Sequence, residues 1–247
     1  MRGTPEQGTM GKKPQIEIPD VQGLANATSQ EKAYRRLRHA IMIGRIGPGV
    51  ALTIRGLAGV LGVSPTPVRE ALRRLAAESA LAVLDNRRVM TPPMTSLRFE
   101  ELIALRKTLE CHAAERSIPY INERLIEEME RVDLRMDEAI EAGDHETTVI
   151  LNQRFHTLLC AANPEQVVMP MIDSVWLQLG PFTRVALQHL GQYYTVDRHK
   201  EAIEALRKRD PIAVSIAIEA DIRDGLSHVG RLGLIHQYGQ ENGSDAA

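Results

Sequence analysis

The 247 residues are 43% apolar and 25% charged, with a net charge of −2 at pH 7, a balance that fits a soluble globular chain of one large or two modest domains. No apolar run approaches the ~20 residues of a membrane-spanning helix, and no signal-peptide pattern precedes the fold. Two cysteines, Cys111 and Cys160, make no disulfide framework, so a cytoplasmic protein without a membrane partner is expected.

Charge is unevenly spread. Residues 29–95 hold 11 Lys and Arg against 4 Asp and Glu, whereas residues 96–247 hold 16 against 25. A basic first domain beside an acidic second one points to a polyanion met by the first alone. With aromatics at 4%, base stacking on single strands is a poor mechanism, and duplex DNA is favoured.

Residues 1–28 are rich in Gly, Pro, Gln and Thr, lack apolar periodicity and read as a flexible arm. A first helix follows Ser29 as N-cap, with Tyr34, Leu37 and Ile41 as its stripe up to Gly44. After the turn at Gly47–Gly49, a short helix runs from Thr53 to Leu61 and stops at Gly62. Ser64 can then cap a third helix, with Pro65 at its first position and Pro67 within its first turn, where missing N–H groups cost nothing. Val68, Leu72 and Leu75 form its buried stripe, and Thr66, Arg69 and Arg73 share its outward face. "LAVLDNRRVMTPP" reads as two short strands around a turn at Asp85–Arg88. Three helices and a hairpin over 29–95 make a winged helix-turn-helix. Its third helix would enter a major groove, and the wing would bring Arg87 and Arg88 to the backbone or a minor groove.

From Leu97 the pattern is helical throughout, over roughly 97–117, 120–142, 144–161, 164–189, 193–209 and 211–232. Breaks fall at Pro119, Gly143, Asn163–Pro164, Gly191 and Asp210–Pro211, and Pro170 and Gly180–Pro181 kink or split the fourth segment. Six or seven helices over 96–235 form a bundle, and 236–247 is a flexible tail. The fold class is therefore mainly α.

The block "GVSPTPVREALRRL" within 37–78 resembles the N-terminal domain of the GntR family of bacterial transcription regulators. "LRKTLE" at 105–110 and "NQRFHTLLCAAN" at 152–163 resemble its FadR-type (FCD) effector domain. The resemblance covers about residues 30–232 and implies a dimeric repressor or activator tuned by a small metabolite, often an organic acid. It assigns DNA contacts to Arg55, Thr66 and Arg69, and the winged-helix reading itself adds Ser64, Arg73, Arg87 and Arg88 as candidates. Two positions depart: Pro65 stands where relatives commonly carry Arg, and Arg88 where the wing usually has Gly.

Four polar residues lie in or beside the apolar bundle stripes: Asn152 and His156 at i,i+4, one residue over from Leu151, Phe155 and Leu158 and so at the core's edge, His199 beside Ala202, Ile203 and Leu206, and Asp221 between Ile218 and Ile222. Buried charges need a partner or a metal. The resemblance implies a divalent metal held by one Asp and three His. Here that set becomes Asn152, His156, His199 and Asp221, which suits Zn, Ni, Mn or Fe. A metal-free pocket in which the histidines pair with Asp221 and Asn152 is the plain alternative. Arg106 either grips an effector carboxylate or pairs with Glu110 at i,i+4, and Arg184 is a second effector-binding candidate. His112 and Trp176 read as packed residues, Trp176 in the core or at a dimer surface. The expected function is a metabolite-responsive regulator that binds a pseudo-palindromic operator as a homodimer. A helical-bundle metalloenzyme is the alternative, but the chain has no Glu-x-x-His pair, phosphate loop or nucleophile elbow.

Overall fold

The computed structural model describes residues 16–84, 88–188 and 196–231. Helix α1, Ser29–Met42, is capped by Thr28, whose side chain accepts from Glu31 N. The cap is thus one residue earlier than expected, and Ser29 is the first helical residue. Strand β1, Ala51–Thr53, follows, and Thr53 then caps α2, Ile54–Leu61, by accepting from Gly56 N. Gly62 closes α2 at φ 66°, the left-handed conformation that glycine adopts without strain. Helix α3, Pro65–Ala77, has Ser64 in the N-cap position, although the Ser64 side chain makes no cap hydrogen bond.

Strands β2, Ala82–Val83, and β3, Arg88–Met90, form the expected wing. The sheet holds one strand more than the sequence pattern suggested. Its antiparallel order is β1-β3-β2, with Ala51 and Ala82 both opposite Met90. At three residues, β1 is too short for a period of two to declare itself.

The end of the N-terminal arm is not loose. Ile18 and Leu24 are buried, and the Arg36 side chain donates to the carbonyls of Ile18 and Pro19 at 2.7 and 3.1 Å. Residues 16–28 therefore pack on the winged domain, which corrects the reading of the whole 1–28 segment as a flexible arm. Ile18 and Leu24, with Ile16 half-buried against the same core, carry this packing, and they make no helical or strand pattern over the segment. Residues 1–15 and the tail at 236–247 lie outside the described residues.

The second half is the expected bundle: α4 Ser96–Ser117, α5 Glu123–Glu141, α6 His145–Cys160, α7 Met169–Gln188, α8 Arg198–Arg207 and α9 Pro211–Arg231. A 3₁₀ turn, Ile118–Tyr120, links α4 to α5. Two starts differ from expectation. Helix α7 begins at Met169 rather than at 164, so Pro170 sits in its first turn and does not kink it, while Pro181 is accommodated inside the helix. Helix α8 begins at Arg198 rather than at 193, with Asp197 as N-cap accepting from Lys200 N. The break at Gly191 lies outside the described residues.

Helix α4 lies along α9, α5 along α6 and α8 along α9, around a core that includes Phe99, Phe155 and Phe182. Helix α7 serves two cores. Its Ile172, Trp176 and Leu177 belong with Leu37, Leu72 and Leu75 of the winged domain, while its Val175, Leu179 and Phe182 belong to the bundle. At the α1–α7 contact a Cβ on Gly180 would stand 2.5 Å from Ile41 O and 2.8 Å from Met42 Cα. The two helices thus meet backbone to backbone. Arg38–Asp173 at 3.0 Å, Arg45–Glu146 at 2.6 Å and a 3.1 Å bond from Ser174 Oγ to Glu78 O add polar links across the boundary.

Candidate functional site

The outer face of α3 is built as its sequence implies. Val68, Leu72 and Leu75 are buried against α1, which leaves Thr66, Arg69 and Arg73 exposed, with Ser64 just before them and Arg55 on the neighbouring α2. Arg73 Nη2 lies 2.6 Å from Glu70 Oε2, one turn back. Arg74 turns away from this face. It stacks 3.5 Å over the Tyr34 ring and reaches Glu78 and Glu31, both at 3.3 Å. Arg55 and Arg69 make no ion pair among the described residues. Exposed cations without an acidic partner suit phosphate or base-edge contact. Arg88 is exposed on β3 opposite Thr53, which places the wing beside the start of α2. Arg87 lies outside the described residues.

The second site is the polar centre of the bundle. His156 on α6, His199 on α8 and Asp221 on α9 are all buried, and each offers a ligand atom within 4.8 Å of the others. His156 Nε2 is 3.0 Å from Asp221 Oδ2, and His199 Nε2 is 3.6 Å from Asp221 Oδ1. Asn152 Nδ2 is 3.4 Å from His199 Nε2. Each imidazole also has a carboxylate behind it. His199 Nδ1 is 3.0 Å from Asp133 Oδ1, a bond that leaves Nε2 to face the centre. His156 Nδ1 is 2.6 Å from Glu110 Oε2, in contact but off the hydrogen-bond axis. Phe155 stacks on His199 at 3.8 Å and fixes the plane of its ring.

These residues fit a divalent ion. Donors bound at about 2.0–2.2 Å stand roughly 3–3.6 Å from one another, the spacing seen between Asp221 and the two imidazoles. Imidazoles backed by carboxylates are the usual outer shell of such centres. His156 and His199 through Nε2, with Asp221, would hold the ion, and Asn152 stands at its edge.

Glu110 is the electrostatic hub. Fully buried on α4, its Oε1 accepts from Arg106 Nε at 2.6 Å and from Trp176 Nε1 at 2.8 Å. Burial pushes its carboxyl upward, but Arg106 foremost and then His156 outweigh this and hold it down to about 2. Burial likewise pulls His156 down, yet the charge of Glu110 and the bond to Asp221 carry it up to about 9. The Arg106 guanidinium lies 3.9 Å from the Trp176 ring centroid, and its Nη2 is buried without a hydrogen-bond partner among the described residues. A cavity of about 80 Å³ adjoins this centre, with Arg106, Asn152, Trp176 and Asp221 in its wall.

Two family models match the chain. The one described as bacterial regulatory proteins, gntR family, covers residues 29–90, and the FCD domain covers residues 101–224. The chain belongs to the GntR family. It is a transcriptional regulator of the GntR/FCD type, as its relatives are, and they are not enzymes. The transcriptional regulator McbR of Escherichia coli is 30% identical over 145 residues, 59% of this chain and 66% of McbR. The gluconate operon repressor of Bacillus subtilis is 25% identical over 224 residues, 87% of this chain and 90% of that protein. The solved structure of E. coli McbR/YncC has the same fold at TM-score 0.72 and 23% identity, covering 85% of this chain and 98% of that one. A Rhodococcus GntR regulator matches at TM-score 0.65 and 22% identity, over 85% and 96%.

In this GntR-family regulator the structure draws the four bundle residues singled out in the sequence into one cluster. Of the two alternatives for Arg106, the structure shows the pair with Glu110, and the residue also lies in the cavity wall. Arg184 does not line that cavity. Its Cγ lies where a Cβ on Gly44 would come within 2.9 Å, so the side chain sits at the junction with α1. His112 is exposed, not packed, and Trp176 is buried. Sequence reasoning passed over Glu110 as a hub and missed Asp133 altogether. Asp133 carried a readable signal, a charge on the Met129–Val132–Met136 face of α5. No helix among the described residues is long and apolar enough to cross a membrane.

Proposed function

We propose that this regulator works as a cytoplasmic homodimer on a double-stranded, pseudo-palindromic operator, with affinity tuned by a small carboxylate bound beside a divalent metal in the bundle. The reading rests above all on the cluster of His156, His199 and Asp221, with carboxylates behind both imidazoles and a cavity at its edge. A bound Zn, Ni, Mn or Fe would supply Lewis acidity and open positions for a ligand oxygen. Arg106 offers a buried guanidinium nitrogen to the same ligand. Arg55 and Arg69, without an ion pair among the described residues, and the exposed Ser64, Thr66, Arg73 and Arg88 support the DNA-contacting face. A second copy would place the other α3 about one helical turn away, roughly 34 Å.

Metal content of protein purified without a His-tag, with and without chelator, tests the centre; no stoichiometric ion overturns the metal reading. A mobility shift on the region upstream of its own gene tests the DNA face. Binding left unchanged by Arg69→Ala overturns that assignment.

A further inference from the structure

The cavity walls say more about the ligand than that it carries a carboxylate. The charged and amide groups of the wall, Arg106, Asn152 and Asp221, stand together. They are joined through His199, His156 and Glu110 by contacts of 2.6 to 3.6 Å, so they form one polar end. The remaining wall is apolar, drawn from Met136 and Ile140 on α5, Val149 on α6, Leu187 on α7 and Ile222 and Leu226 on α9. Two further polar residues reach it, Thr148 and Thr183, but their hydroxyls donate to Asp144 O at 2.8 Å and Gly180 O at 2.7 Å within their own helices. Neither is a spare donor for a ligand.

Such a chamber accepts a charged head at one end and disfavours a polyhydroxylated body, because along it only the Thr148 and Thr183 oxygens can accept a hydrogen bond and further hydroxyls would lose water without gaining a partner. The volume, about 80 Å³, admits roughly five to eight water-sized groups at about 10–15 Å³ each. That is the size of a short carboxylic acid.

We infer that the effector is a short amphiphilic monocarboxylate whose head meets Arg106 and whose hydrocarbon body lies along Met136, Val149 and Leu226, and not a polyhydroxylated sugar acid. This rests on the reading of the cavity as the effector site, and it narrows that reading to one ligand class.

Trp176 is the only tryptophan of the chain and lies in the cavity wall, so its fluorescence reports occupancy directly. The full-length protein is titrated with the straight-chain acids from acetate to hexanoate, with gluconate and with hexan-1-ol, read by Trp176 fluorescence and calorimetry. Affinity should rise about fourfold per methylene until the cavity is full, the increment expected for a buried CH₂. Gluconate, with the six carbons of hexanoate, should bind at least about 30-fold more weakly, since two or more hydroxyls would be buried unpaired. Gluconate binding as tightly as hexanoate, or an affinity independent of chain length, overturns the amphiphile while a carboxylate site stands. Hexan-1-ol binding as tightly as hexanoate overturns the placement of the head at Arg106. Silence from every acid, gluconate included, overturns the effector-site reading and this inference with it.

Arg106→Gln would also strand the buried Glu110, so the discriminating variant is Gly225→Leu. Gly225 lines the cavity on α9, and a Cβ there meets no atom within 4 Å. Filling that space should move the best-bound acid to a shorter chain with folding intact. An unshifted optimum in a folded Gly225→Leu protein overturns the placement of the body.

Discussion

Gly180→Ala tests whether α7 is as tightly joined to α1 as the backbone contact implies. By helix propensity alone the change is favourable, about 0.8–1.0 kcal/mol for Ala over Gly in a helix interior. The new Cβ, however, would stand 2.5 Å from Ile41 O and 2.8 Å from Met42 Cα. Both are backbone atoms that no rotamer change can move. Reaching an ordinary separation of about 3.5 Å requires α7 to retreat from α1 by on the order of 1 Å. Overpacking of this kind costs about 1–3 kcal/mol, and Ala before Pro181 adds strain in the helical region that Gly is spared. The clash wins, and the variant should be destabilised by about 1–2 kcal/mol, or about 2–8 °C in Tm for a chain of this size. Gly59→Ala on α2 is the internal control, because its Cβ would meet nothing within 4 Å. Thermal unfolding of that variant should match or exceed the parent. Retreat of α7 should also change the response of DNA affinity to ligand, since Trp176 and Thr183 on the same helix line the cavity. A Gly180→Ala protein as stable as Gly59→Ala would refute the argument, because propensity would then have outweighed the contact.

The charged hub gives a second expectation. Glu110→Gln leaves the Arg106 charge buried and uncompensated and should lower stability by about 3–5 kcal/mol, whereas Arg106→Met with Glu110→Met should recover most of it, as denaturant unfolding can read. In metal-free protein, His156 stands above its unfolded value, so its contribution is complete below about pH 6.5 and is lost as pH rises through about 9. Glu110 stands below its unfolded value, so its contribution is present above about pH 4.5 and is lost as pH falls through about 2. Unfolding of the chelated protein followed from pH 6.5 to 9 should show the His156 loss, and a flat profile there would contradict it. Metal binding near pH 7 should expel the His156 proton, seen as a dependence of calorimetric heat on buffer ionisation. Asp133→Asn should weaken metal binding about 10–100-fold through His199 alone. Arg69→Ala should weaken operator binding by about 1–3 kcal/mol and Arg73→Ala by less, because Glu70 already neutralises Arg73; equal losses in a mobility shift would count against this.

What the sequence disclosed and what it withheld divide along a physical line. Local rules found the start of α3 to the residue: Ser64, two prolines and a three-to-four spacing of Val68, Leu72 and Leu75 all act within one or two turns. The same rules overran the starts of α7 and α8, where Pro170 and Asp197 set the first turn and apolar content before them suggested more helix. The arm from Ile16 to Thr28 was illegible for a related reason. Its order comes from Ile18, Leu24 and the reach of Arg36, contacts between segments that no periodicity records.

The polar centre shows where pattern reading ends. Periodicity put His199 and Asp221 on inward faces and His156 at the core's edge, but a face is only half of a contact. Arg106 and Glu110 read equally well as an isolated i,i+4 pair, and nothing on α4 announces that Trp176 from α7 closes over them. Three helices must be placed before Glu110 can be seen holding Arg106, Trp176 and His156 at once. That geometry also supplies a mechanical link that the sequence could not. One side of α7 carries Trp176 against the hub and Thr183 at the cavity, while Gly180 presses on the backbone of α1, the helix that seats α3. Any ligand that moves α7 must therefore move α1 or break a contact that has no slack.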